Sequence, residues 1–132
     1  MPKEPRNVGL VEGKFNPCPE TNTCVSTMSP PTDEKHYMEP IDFESSMEEV
    51  KEKILSVINS FKRSEIIKES ENYIHASFTT FLFRWTDDAE FLIDNENKVI
   101  HFKSQTRLNG YYDWGKNRSR MKKFKKKFKA RK

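Results

Sequence analysis

Tyr73-Ile74-His75-Ala76-Ser77-Phe78-Thr79-Thr80 is the stretch on which the fold turns. Ile74, Ala76 and Phe78 alternate with His75, Ser77 and Thr79. Side chains of an extended chain point to opposite sides in turn, so this alternation predicts a half-buried strand over 73–80 with one apolar face. Downstream, 82–86 and 89–93 are β-rich, with Asp87-Asp88 between them, and Asp94-Asn95-Glu96-Asn97 is a strong turn before a last strand over 99–106. Upstream, 64–69 is a short candidate around Ile66 and Ile67, closed by the turn Glu71-Asn72. Short strands with short connections pair antiparallel, because parallel pairing requires a long crossover.

The apolar face needs a cover, and residues 46–61 provide one. Ser46 followed by Glu49 is a capping-box pattern. Met47, Val50, Ile54, Val57, Ile58 and Phe61 recur at helical spacing, while Glu48, Glu52, Lys53 and Asn59 fall on the opposite side. The spacing predicts an amphipathic helix over 47–61. A second helix is expected from about 117, where Met121, Phe124 and Phe128 form one narrow apolar stripe in a lysine coat. All seven prolines lie at or before Pro40, so 1–40 reads as an irregular, partly packed arm and 41–132 as the domain. The class expected is α+β: an antiparallel sheet of four to five short strands, one packed amphipathic helix and a basic C-terminal helix.

Charge is unevenly placed. Residues 121–132 hold eight of the 24 Lys and Arg and no acid, leaving 16 bases against 20 acids in the rest. A mildly acidic body therefore carries a strongly basic tail, which the overall charge of +4 conceals. No apolar segment follows the charged start, and none approaches the roughly 18 residues of a membrane span. A soluble, cytoplasmic protein, peripheral to a membrane at most, is the expectation. Cys18 and Cys24 then read as loop thiols, with a disulfide sterically available and its redox state left open.

Three groups of residues carry candidate chemistry. In a strand, Asp88 and Glu90 share a face while Asp87 points away. An ion-paired structural cluster is the favoured reading, and a hard metal ion or a carboxyl of raised pKa is the alternative. Arg107 and Arg118 are the natural partners of Asp88 and Glu90, since guanidinium binds carboxylate in a fork. Asn117, near a helix start, would place those arginines beside unpaired amides able to receive an anion. His75 and His101 on separate strands would with Asp88 make a metal candidate, although simple hydrogen bonding is the more common role of such histidines. The tail stripe either docks on the domain, inserts into an anionic membrane, or lets the lysines contact nucleic-acid phosphates. Docking is favoured, and nucleic acid ranks last because the body is acidic.

The ordered set Asn16-Pro17-Cys18-Pro19, Cys24-Val25-Ser26, Tyr73-Ile74-His75-Ala76, Asp87-Asp88-Ala89-Glu90-Phe91, Arg107, and Gly110-Tyr111-Tyr112-Asp113-Trp114-Gly115-Lys116-Asn117-Arg118-Ser119-Arg120 resembles the uncharacterised domain-of-unknown-function family numbered fourteen-ninety-nine. The similarity covers roughly 14–125 and implies no activity. Where that family's strand commonly reads Arg-Ser-Ala-Ser-Arg, this chain has Lys103-Ser104-Gln105-Thr106-Arg107.

The functional expectation is a non-enzymatic binding or interaction module. Its ligand-binding residues would be Asp88, Glu90, Arg107, Tyr111, Asp113, Asn117 and Arg118, and its partner an anionic small molecule or an anionic membrane surface. No cofactor is called for by any motif. The alternatives are a metal- or carboxylate-dependent hydrolase using Asp87, Asp88 or Glu90, and a peripheral membrane protein acting through the basic tail.

Overall fold

The computed structural model describes residues 7–20, 23–81, 85–107 and 115–131. In chain order the elements are β1 (Leu10–Val11), β2 (Lys14–Phe15), β3 (Cys24–Ser26), β4 (Ile41–Asp42), α1 (Met47–Asn59), β5 (Ser64–Glu69), β6 (Tyr73–Thr79), β7 (Thr86–Asp94), β8 (Val99–Thr106) and α2 (Lys116–Ala130). The α+β class, the antiparallel sheet, the packed first helix and the basic C-terminal helix are all observed.

The four strands after α1 form an antiparallel meander, β5-β6-β7-β8. The arm and the two residues after it then extend the sheet. β3 and β4 both pair with β8, at Cys24–Ser26 against 103–105 and at Ile41–Asp42 against 99–100. The sheet thus has six strands rather than four or five, because β3 of the arm and β4 just after it supply backbone donors and acceptors to the otherwise open edge of β8. One boundary also differs. Asp87-Asp88 was expected to break the chain between two strands, yet both residues lie inside the continuous β7. Their carboxylates find partners on opposite faces of the sheet, and that pairing outweighs a poor strand propensity.

The apolar face of the sheet packs against both helices. Val50, Ile54, Val57 and Ile58 of α1 meet Ile74, Ala76 and Phe78 of β6, Ala89, Phe91 and Ile93 of β7, and Ile100 and Phe102 of β8. Ser46 caps α1, its hydroxyl accepting the Glu49 amide at 3.2 Å. Helix α2 docks through Met121, Phe124 and Phe128, all buried, with Phe124 stacked on Phe91 at 4.6 Å between centroids. Each phenylalanine so buried contributes about 2 kcal/mol of transfer free energy. In this position the stripe has no face left for a membrane, so the docking reading holds and insertion of the tail phenylalanines is set aside. No helix among the described residues is long and apolar enough to cross a membrane.

Candidate functional site

The second face of the sheet is polar and almost entirely buried. Period-two geometry aligns Tyr73, His75 and Ser77 of β6 beside Asp88 and Glu90 of β7, and these beside Lys103 and Gln105 of β8. No helix among the described residues covers them. The arm does: Gly9 donates its amide to Glu90 Oε2 at 3.1 Å, and Lys103 Nζ donates to the Asn7 carbonyl at 2.6 Å. A smaller apolar cluster of Phe15, Tyr73 and Leu92, with Met28 against it, seals the same face at its other end.

Asp88 is the centre of one network. Arg107 grips it in a fork, Nε to Oδ2 at 2.8 Å and Nη2 to Oδ1 at 3.1 Å, while His75 Nε2 donates to Oδ1 at 2.8 Å. Burial pushes the Asp88 carboxyl up, but the hydrogen bonds and charges of His75 and Arg107 outweigh it and hold the group below its ordinary value. Asp88 is therefore ionised at neutral pH, and His75 must carry a proton on Nε2 to donate to it.

Glu90 is the centre of the other. Tyr73 donates its hydroxyl at 2.7 Å, and Lys103 Nζ lies 3.9 Å away, an ion pair too long for a hydrogen bond. Burial raises the Glu90 carboxyl by more than Tyr73, Lys103 and Gly9 lower it. Burial likewise depresses the Lys103 ammonium against the pull of Glu90 and Asp88, and it raises the Tyr73 phenol, as does the carboxylate beside it. Gln105 completes the face, its amide nitrogen lacking a hydrogen-bond partner among the described residues. Its carbonyl oxygen sits 3.9 Å from Cys24 Sγ, but that sulfur is bonded to Cys18 and carries no proton to donate.

The expected site residues are thus divided. Asp88, Glu90 and Arg107 share the polar face, and Arg107 pairs with Asp88 as expected. Glu90 takes Tyr73 and Lys103 in place of an arginine. Asn117 lies on the opposite side, buried between α2 and the sheet. Its oxygen accepts Ser104 Oγ at 2.6 Å, and its nitrogen donates to the Thr23 carbonyl at 3.1 Å and to Thr106 Oγ1 at 3.0 Å. It is a structural clamp beyond the helix start, which is Gly115 in a left-handed conformation at φ 76°. Arg118 reaches neither acid. It donates to the carbonyls of Glu34, Lys35 and Tyr37 at 3.0–3.1 Å and pins that turn of the arm. Asp87, facing the helices, pairs with Arg120 at 2.7 Å. Tyr111 and Asp113 lie outside the described residues.

The histidine pair does not converge on Asp88. His101 Nδ1 meets Thr27 Oγ1 at 2.8 Å, and Thr27 Oγ1 also accepts the Phe102 amide. Burial lowers the His101 pKa against the pull of Asp94. Among the described residues, no three His, Cys, Asp or Glu side chains gather as metal ligands. The two cysteines, whose redox state the sequence leaves open, are joined as a disulfide with Cα atoms 5.7 Å apart. The arm brings them together because β3 anchors Cys24 beside Gln105.

Sequence reasoning passed over the roles of Tyr73, Lys103 and Gln105. Their signal was present, since polar residues occupy every second position of three adjacent strands, but alternation alone reads as solvent exposure. It also passed over a groove on the helix side. There the end of β6 and the C-terminal end of α1 face Lys116, Arg120 and Lys123 of α2 around a cavity of about 630 Å³. The helical signal was legible: these three stand at i, i+4 and i+7, one stripe beside the buried one.

Among known families, the one described as Protein of unknown function (DUF1499) matches residues 14–128. A comparison with curated proteins finds no match.

Proposed function

We propose that this chain, which belongs to the DUF1499 family, is a non-enzymatic interaction module that takes an anionic partner on its helix side. One observation carries the reading. Among the described residues, the groove between β6, α1 and α2 is lined by Lys62, Arg63, Lys116, Arg120 and Lys123 and by no acid. Of these, Arg120 is engaged by Asp87, but none of the other four has a carboxylate within ion-pair distance among the described residues. Neighbouring cations without acids repel one another, and an anion relieves that repulsion.

The polar face supports the reading by what it lacks in freedom. Asp88, Glu90 and Arg107 have the chemistry for acid–base work, but their bonds run to His75, Tyr73, Lys103, Gly9 and each other. As an anchor for the arm, that network needs no substrate. The disulfide bears on location. Such bonds persist in oxidising compartments, so it favours one of those over the cytoplasm expected from sequence.

The test is a binding panel at low and high salt: inorganic pyrophosphate, a single-stranded oligonucleotide and anionic vesicles, each against wild type and the double variant Lys116→Glu/Lys123→Glu. Binding to at least one member is expected, weakening with salt and lost in the variant. Binding that ignores both substitutions, or none to any member at low salt, sinks the reading.

A further inference from the structure

The groove has an apolar edge that the fold leaves in water. Phe81, directly after Thr80 at the end of β6, is 70 % exposed, the most exposed of the large hydrophobic residues described. It is not needed by the core, which Phe78 already fills from the same strand. The guanidinium of Arg63 stands 5.4 Å from the Phe81 ring centroid. Lys62, Lys116 and Lys123 complete a cationic surround on the same groove.

Resting on the anionic-partner reading, we propose that this end of the molecule is a membrane-docking surface for an anionic phospholipid bilayer, with Phe81 inserted below the headgroups and Arg63, Lys62, Lys116 and Lys123 set against the lipid phosphates. An apolar tip ringed by lysine and arginine matches the layered chemistry of that interface, where hydrocarbon lies a few ångströms beneath a sheet of negative charge. A free phosphate would use the cations and leave Phe81 without a role.

Single-stranded nucleic acid fits less well for a geometric reason. Bases stack on open aromatic faces. Here Arg120 lies over Phe78, and Lys123 and Lys127 over Phe61, within 5.1–5.5 Å of the centroids, which leaves Phe81, with Arg63 over one face, as a single open ring rather than a run of stacking platforms. The docking surface is also distinct from the tail stripe. Met121, Phe124 and Phe128 remain buried while the neighbouring stripe of α2 turns its cations to the lipid, so docking requires no unfolding of the helix.

Co-sedimentation of the full chain with vesicles tests this, comparing neutral phosphatidylcholine with the same lipid containing about 30 % phosphatidylserine, which sets the negative surface potential. Binding is expected only to the anionic vesicles. Phe81→Ser should weaken it about tenfold, as loss of one inserted aromatic implies. Phe81→Trp, which keeps an interfacial aromatic, should retain it. Lys116→Gln/Lys123→Gln should weaken it by about tenfold or more, each lysine near the surface contributing about 1 kcal/mol. Circular dichroism establishes that each variant is folded. Vesicle binding unchanged in Phe81→Ser overturns the proposal. So does salt-sensitive binding to pyrophosphate or the oligonucleotide without vesicle binding, an outcome that leaves the anionic-partner reading standing. Binding to none of the three overturns both.

Discussion

Asp88 accepts three hydrogen bonds from Arg107 and His75 inside a buried face, and that makes it the residue most sensitive to a change of one atom. Asp88→Asn keeps the shape but removes the charge that Arg107 and His75 face, and breaking a buried pair in this way costs about 3–5 kcal/mol. Urea unfolding at neutral pH should show the loss. The same group sets the acid limb of stability. Its folded pKa lies below the unfolded value of about 3.9. The stabilisation is therefore complete above that value and lost as pH falls through the lower folded one. Glu90 works in the opposite sense. Its folded pKa is raised, so its contribution is greatest below the ordinary carboxyl value of 4.5 and declines as pH rises through the folded value. Measured above pH 4.5, Glu90→Gln should make the slope of unfolding free energy against pH more positive than in wild type. Gln105 offers a third case. Its amide is buried without a partner, so Gln105→Leu should be neutral or stabilising by about 1 kcal/mol, against the usual cost of altering a buried side chain.

At the scale of elements, α2 is held by two unlike devices. Its apolar stripe fills the core, and Asn117 fastens its first turn to β8 and to the chain before β3 through Ser104, Thr106 and Thr23. Further along, Lys127 donates to Ser60 Oγ and Arg131 to Ser56 Oγ of α1, so part of the tail's charge is spent on the neighbouring helix. That helix has no basic residue of its own in its last turn, where a cation suits the helix dipole. Asn117→Ala should cost about 2–4 kcal/mol, because it strands several buried polar groups at once. Phe124→Ala should cost about 3–5 kcal/mol through the cavity it leaves. Thermal denaturation should place both well below wild type. Helix α2 was legible in the spacing of Met121, Phe124 and Phe128, and so was its docking face. The clamp was not, since an asparagine near a helix start looks like a terminus-stabilising residue until the strand beneath it is known.

At the scale of the whole molecule, the arm is the part whose role changes most between sequence and structure. Seven prolines read as irregularity, yet β3 joins β4, just beyond the arm, in closing the edge of the sheet, Asn7 and Gly9 roof the polar face, and Arg118 pins the turn at 34–37. The disulfide ties β3 to the segment before it. Cys18→Ser/Cys24→Ser should lower stability by about 2 kcal/mol, the entropy expected for so short a loop, while leaving the sheet intact by circular dichroism.

Alternation in 73–80 and helical spacing in 47–61 and 121–128 are local patterns, and local patterns are enough to specify elements, their apolar faces and so the α+β layering. The partition of charge is another matter. Gly9 and Glu90 are 81 residues apart, and Asn7 and Lys103 are 96 apart. No local rule says which acid a given cation will meet across such distances. Only the assembled sheet decides that Asp88 and Glu90 are roofed and paired, that Asn117 and Arg118 serve the scaffold, and that Lys62, Arg63, Lys116 and Lys123 are left facing outward around Phe81. Burial makes the difference, because a charge inside the protein must find a partner whereas a charge at the surface keeps its water until a ligand arrives.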